Sequence, residues 1–243
     1  MKKIYSCVAV LTTILLIAVS YSFVSPRKIV SKNFSVFTKI QEPSGICILT
    51  NSECAVVSDQ GVLYKTDYKG KIISKAKQEG TDFEDVCLAN GNLFVSDEST
   101  RSVFVYDTAT LTLQKIIPLH NSSGRNEGYE SITYNSDDGN FILVSEKDPV
   151  ELDVYDQNFQ LIQMAYVNGV GDISSACYFN HKLFLLSDED HCVLQLNAKT
   201  FSEENRISIA VNNPEGLAMT TDNSFLIVSD RMQKLFSFQF TQP

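Results

Sequence analysis

The sequence predicts an all-β chain folded as a five-bladed β-propeller of four-stranded antiparallel blades, and three observations predict it. First, a strand-like segment recurs five times, starting at Pro43, Phe83, Tyr129, Ile173 and Pro214, with spacings of 40, 46, 44 and 41 residues. Each copy reads as short apolar runs separated by turn residues, and four strands in a repeat of this length is the period of a propeller blade. Second, no long segment carries the 3.6-residue apolar period of a helix, which excludes a helical solenoid. Third, the last copy reaches Pro243 without a fourth strand, while a spare strand-like run, Phe34 to Ile40, precedes the first copy. Pairing the two closes the ring and leaves no exposed sheet edge there.

Within a copy, the first strand opens on a small or acidic pair followed by an aliphatic residue. The five versions are Ser44-Gly45-Ile46, Glu84-Asp85-Val86, Glu130-Ser131-Ile132, Ser174-Ser175-Ala176 and Glu215-Gly216-Leu217. After a turn, the second strand is apolar and ends in serine plus an acid: Ser58-Asp59, Ser96-Asp97, Ser145-Glu146, Ser187-Asp188 and Ser229-Asp230. The third strand, as in Val103-Phe104-Val105-Tyr106, runs into Asp67, Asp107, Asp156 or Asn197. Asp and Asn suit a turn because their side chains accept hydrogen bonds from its backbone. A short fourth strand such as Ile116-Ile117 completes the copy.

The N-terminus reads differently. Lys2 and Lys3 precede an uncharged run of 23 residues, Ile4 to Pro26, which Arg27 and Lys28 close. About 20 apolar residues span a hydrocarbon core as a helix. Residues 1–26 are therefore expected to form a hydrophobic helix, as a signal anchor or a signal peptide, and residues 27–243 the propeller domain. Ala18-Val19-Ser20 and Ser20-Tyr21-Ser22 leave both the cleaved and the uncleaved form open. In either case the propeller is expected across the membrane, with membrane contact through the N-terminal segment only.

The 243 residues are 44% hydrophobic and 20% charged, enough apolar surface for one large all-β domain. The net charge is −9, and setting aside the two lysines before residue 26 leaves −11 on the rest. Such a domain repels phosphate, so nucleic acid is excluded as a partner, and cations or basic partners are favoured. Export permits disulfides. Yet Cys47, Cys87 and Cys177 share one repeat position, where the other copies have Thr133 and Ala218. That pattern describes a slot for a small residue between blades, in strands too far apart to crosslink. Cys54 falls out of register with Cys47 and is expected to face Leu49. Free structural thiols are the expected state.

The candidate chemistry lies where the first strand begins and the second ends, because an antiparallel hairpin brings those points to one face. The first set is Glu84, Glu130 and Glu215. The second is Asp59, Asp97, Glu146, Asp188 and Asp230. If the innermost strands line a channel, these carboxylates converge at its mouth, where like charges raise one another's pKa or call for a cation. Oxygen-only ligands favour a hard ion such as calcium over zinc. The second set also fits an architectural role, holding adjacent loops through backbone N–H groups, and Lys147, Arg101 and Arg231 can neutralise acids as surface pairs. His120, His181 and His191 occupy unrelated repeat positions and read as turn residues. No paired-histidine metal motif, nucleophile elbow or phosphate loop is present.

The repeats resemble the SdiA-regulated (YjiK-like) family of bacterial β-propellers. Three stretches carry the likeness: Asn126 to Tyr134, Val144-Ser145-Glu146-Lys147-Asp148-Pro149, and Asn213-Pro214-Glu215-Gly216-Leu217-Ala218. The resemblance implies a five-bladed propeller, distantly similar to NHL-repeat propellers, with a calcium site. It carries Glu130 and Glu215 over as site residues, and Glu84 follows by the internal repeat. Ser131 in place of glycine, and Ser174-Ser175 in place of an acid and glycine, depart from the family pattern. The expected role is a calcium-binding interaction module for an unidentified protein or small ligand, anchored in the inner membrane with the propeller in the periplasm, or secreted there. The alternatives are a metal-dependent hydrolase of the lactonase or esterase kind and a ring without a ligand.

Overall fold

The computed structural model describes residues 29–119, 128–222 and 224–241. The expected N-terminal segment, 1–26, lies outside the described residues, as do His120, Asn126 and Glu127. No helix among the described residues is long and apolar enough to cross a membrane.

Twenty strands form five four-stranded antiparallel sheets. Blade 1 is β2 (Pro43–Ile48), β3 (Glu53–Ser58), β4 (Val62–Asp67) and β5 (Ile72–Lys75). Blade 2 is β6 (Phe83–Ala89), β7 (Asn92–Asp97), β8 (Ser102–Asp107) and β9 (Leu113–Pro118). Blade 3 is β10 (Ser131–Asn135), β11 (Asn140–Val144), β12 (Glu151–Tyr155) and β13 (Leu161–Tyr166). Blade 4 is β14 (Ser175–Phe179), β15 (Lys182–Ser187), β16 (Cys192–Asn197) and β17 (Glu203–Ser208). Blade 5 is β18 (Pro214–Met219), β19 (Ser224–Ser229) and β20 (Lys234–Thr241), with β1 (Ile29–Phe37) as its outer strand. The expected closure is therefore present, although β1 starts and ends earlier than the run Phe34 to Ile40. It pairs with β20 from Ile29↔Thr241 to Phe37↔Lys234.

The inner strands β2, β6, β10, β14 and β18 neighbour one another in a closed ring. Strand alternation then sends successive side chains to opposite faces of each blade. In β3, Ala55 and Val57 pack toward blade 2 with Phe83, Val86 and Leu93, while Cys54 and Val56 pack toward blade 5 with Leu226 and Val228. The same rule gives one apolar slab between every pair of neighbouring blades, five in all. Burying each Phe, Leu or Ile of these slabs contributes roughly 1.5–3 kcal/mol. The period of two in the sequence is thus the direct cause of a core divided among five interfaces.

The turns between third and fourth strands are capped as expected. Asp67 Oδ1 accepts from Lys69 N and Lys71 N, both at 2.9 Å. Asp107, Asp156 and Asn197 repeat the arrangement.

Candidate functional site: an acidic channel mouth

Hairpin register places the acids. Pro43 pairs with Ser58 and Pro214 with Ser229, so the residue after each proline and the acid after each serine emerge at the same end of the ring. In blades 1 and 4 the inner-strand position is serine, and it acts structurally. Ser44 Oγ donates to Phe83 O of blade 2, and Ser174 Oγ donates to Pro214 O of blade 5 at 2.9 Å. In blades 2, 3 and 5 the position is Glu84, Glu130 and Glu215, each half-buried.

Electrostatics shows which acids converge. Burial raises the Glu84 carboxyl most, followed by the charges of Glu130, Asp59, Asp82 and Glu98. Glu130 is raised by burial and then by Glu98, Glu146 and Glu215. Glu215 is pushed up to about 7 by burial, Asp188, Asp59 and Asp230. Asp59 is pushed up to about 6, chiefly by burial. Among the described residues no Lys or Arg pairs with any of the three glutamates. Lys147 reaches only the rim, 2.7 Å from Glu146 and 3.6 Å from Glu189, as the surface-pair reading expects.

Asp97 does not join this cluster. Its side chain is 1% exposed. It accepts from Thr81 N at 2.7 Å, Asp82 N at 3.2 Å and Thr100 N at 2.9 Å. The cause is register: β6 and β7 meet across the two-residue turn Asn90-Gly91, shorter than the turns of blades 1 and 5, so Phe83 pairs with Asp97 and Val86 with Val95, one residue out of step with those blades. Asp97 therefore fills the architectural role, and Glu98 takes the place at the mouth. With Asp82 and Glu84 it forms a trio whose carboxylate oxygens lie within 4.8 Å of one another. Neither Asp82 nor Glu98 was singled out from the sequence. The acid doublet Asp97-Glu98 was the available signal.

A third residue missed from the sequence closes the floor of the mouth. Asp85 is 1% exposed. Its Oδ1 accepts from Val86 N at 2.8 Å, and its Oδ2 from Ser175 Oγ at 2.9 Å and Ala176 N at 3.3 Å. Ser175 Oγ in turn accepts from Leu217 N at 3.0 Å. One carboxylate thus ties the inner strands of blades 2 and 4, and blade 5 through the serine. Burial drives its pKa upward, against the pull of these donors. Blade 1 makes room with Gly45, since a Cβ there would stand 2.5 Å from Asp85 Cα. The repeat held the clue: the other copies have Gly45, Ser131, Ser175 and Gly216 at this position, and only one has an acid.

The small-residue slot also lies where the repeat puts it. Cys47, Cys87 and Cys177 pack at the blade 1–2, 2–3 and 4–5 interfaces, and Ala218 at the 5–1 interface. All described cysteines are free. Cys54 faces Ile48 rather than Leu49, because Leu49 N and Thr50 N both bond Glu53 O in the turn.

A five-bladed ring with a half-buried cluster of carboxylates at one channel mouth, unpaired with any Lys or Arg among the described residues, defines the class: an acid-mouthed propeller. The chain belongs to the SdiA-regulated family, which it matches over residues 47–239. No curated protein matches it by sequence. Among solved structures it is similar to the glutaminyl cyclase of Myxococcus xanthus, with a TM-score of 0.73 at 12% identity, covering 89% of this chain and 99% of that one. That likeness is one of fold.

Proposed function

We propose that this chain is a calcium-binding propeller that serves as an interaction module, with the ion seated at the acidic mouth. The observation that carries the reading is the set Glu84, Glu130 and Glu215: three half-buried carboxylates raised by burial and by the acids around them, Glu84 by Glu130 and Glu130 by Glu215 among others, with no Lys or Arg paired to them among the described residues. Carboxylates held together in this way either keep protons or take up a cation. The donor set fits a hard ion, being all oxygen, with Asp82 and Glu98 close enough to Glu84 to share it. Glu84, Glu130 and Glu215 would hold the ion, and it would supply the positive charge that lets them ionise together. The ordered mouth and its surrounding loops then present a surface to a protein or small ligand. The N-terminal segment, 1–26, supports an exported propeller tethered or released on the far side of the membrane.

Thermal unfolding of the protein in EDTA, calcium and magnesium tests this. Calcium at 100 times its Kd should stabilise by about 2.7 kcal/mol, a rise of several degrees in Tm that magnesium does not match. Glu130→Gln and Glu215→Gln should abolish that rise. No shift at millimolar calcium would sink the reading. Calcium-dependent turnover of esters or lactones would move it to a metal-dependent hydrolase.

A further inference from the structure

The acid mouth leaves the other end of the channel unexplained. Past Asp85 the inner strands enclose a cavity of about 200 Å³. Its lining includes Cys47 from β2, Cys87 from β6, Cys177 from β14 and Met219 from β18. Four of the five inner strands thus bring one sulfur-bearing residue each to the lining of a single small chamber. The fifth, β10, contributes Thr133, whose hydroxyl is engaged by Tyr178 N at 2.8 Å.

Packing alone does not require sulfur there, because Thr133 and Ala218 fill the same slot in two blades. Cys47 and Cys177 are half-buried, open to the chamber, and Cys87 is 6% exposed. Burial raises all three thiols, and the charge of Asp85 raises each further, so they are protonated at neutral pH. They also feel one another: Cys87 responds to Cys47 and Cys177, and Cys47 to Cys177, which makes them electrostatic neighbours across the channel. The remaining described cysteines differ. Cys54 packs between blades 5 and 1 with its Sγ 3.0 Å from Thr66 Oγ1, and Cys192 packs between blades 3 and 4.

We propose that this sulfur-lined chamber binds a soft, closed-shell metal ion of the cuprous class through the thiols of Cys47, Cys87 and Cys177, with the Met219 thioether as a neutral further ligand. Thiolate and thioether ligands select such ions and reject the hard cations suited to the mouth. Each thiol that ligates gives up its proton to solvent, one sulfur–hydrogen bond being exchanged for one sulfur–metal bond, and no electrons are transferred. Raised proton affinity restricts the site to metals that compete strongly for thiolate. The three sulfurs are not already within 4.8 Å of one another, so the ion draws them inward by rotation about χ1, the one rotor that places a cysteine sulfur. This site is independent of calcium at the mouth.

The test is an anaerobic titration of the reduced protein with cuprous ion against a chromophoric cuprous chelator. One ion per chain should be withheld from the chelator. Cys47→Ala with Cys177→Ala, which install a residue already used at this slot, should lower the affinity at least 100-fold, whereas Cys54→Ala and Cys192→Ala should leave it unchanged. Bound ion should also shield Cys47 and Cys177 from alkylation, read by peptide mass. Failure to withhold the ion, equal affinity in the double variant, or unaltered alkylation with ion bound would each overturn the proposal.

Discussion

The two ends of the channel are built from the same five strands and carry opposite chemistry. At the mouth stand Glu84, Glu130 and Glu215, carboxylates whose pKa is raised first by burial and then by neighbouring acids. Further along the inner strands stand Cys47 on β2, Cys87 on β6 and Cys177 on β14, neutral sulfur around a small chamber. Asp85 separates them, spanning the ring with its carboxylate. The difference shows how a repeat divides its labour. A strand's first residues meet loops and can accumulate charge, at the cost of raised carboxyl pKa values. Its middle residues meet neighbouring blades and are confined to small side chains.

The largest effect should come from the divider. Asp85→Ala leaves the N–H groups of Val86 and Ala176 without their acceptor in a site closed to water, and should cost about 3–5 kcal/mol in urea unfolding. A loss below 1 kcal/mol would mean that the two ends are held apart by something else. Next comes Asp97→Asn. Asp97 accepts from three backbone N–H groups, so its replacement should cost about 1–3 kcal/mol and leave calcium affinity unchanged. A loss of calcium affinity would return Asp97 to the mouth.

The pH dependence sharpens the contrast, because it belongs to the mouth. Burial and neighbouring acids push Glu215 up to about 7 and Asp59 up to about 6, above their ordinary 4.5 and 3.8. The folded state therefore holds more protons than the unfolded state between those limits, so stability falls as pH rises through them. In EDTA, Tm should drop by about 5 °C from pH 5 to pH 8, and saturating calcium should flatten the slope. A rise in Tm over that range in EDTA would contradict the crowded-carboxylate account. The smallest effect is expected from Glu84→Gln without calcium, a gain of about 1 kcal/mol from relieved repulsion. Loss of stability instead would show Glu84 to be a structural partner.

Much of the fold was legible because the repeat encodes it redundantly. Five Ser-acid endings, the capping Asp67, Asp107, Asp156 and Asn197, and a spare strand at the start all pointed to the same ring. The site was only partly legible. Glu84, Glu130 and Glu215 were visible as departures from serine, and the structure brings them together with Asp59, Glu146, Asp188 and Asp230 in their electrostatic surroundings. Asp97 was misplaced because the two-residue turn Asn90-Gly91 shifts the β6–β7 register by one residue and changes which acid reaches the mouth, a signal in the turn rather than in the Ser-acid ending itself. Asp85 was passed over because its importance lies in bonds to residues about 90 positions away. Across the channel, the shared chamber of the three cysteines required knowing how narrow the ring is.

The pairing of β1 with β20 has a consequence for how the molecule is made. During vectorial synthesis β1 leaves the ribosome before all the others, yet its partner is the strand that emerges after all the others. Throughout that interval β1 is an unpaired strand, and blade 5 cannot exist. Blades 1 to 4 are each contiguous in the chain and can form as they emerge, but the ring locks only when elongation is complete. A nascent chain halted before Lys234 would therefore leave the apolar faces of blades 1 and 4 without the completed blade that covers them, together with a free strand able to pair with the wrong chain.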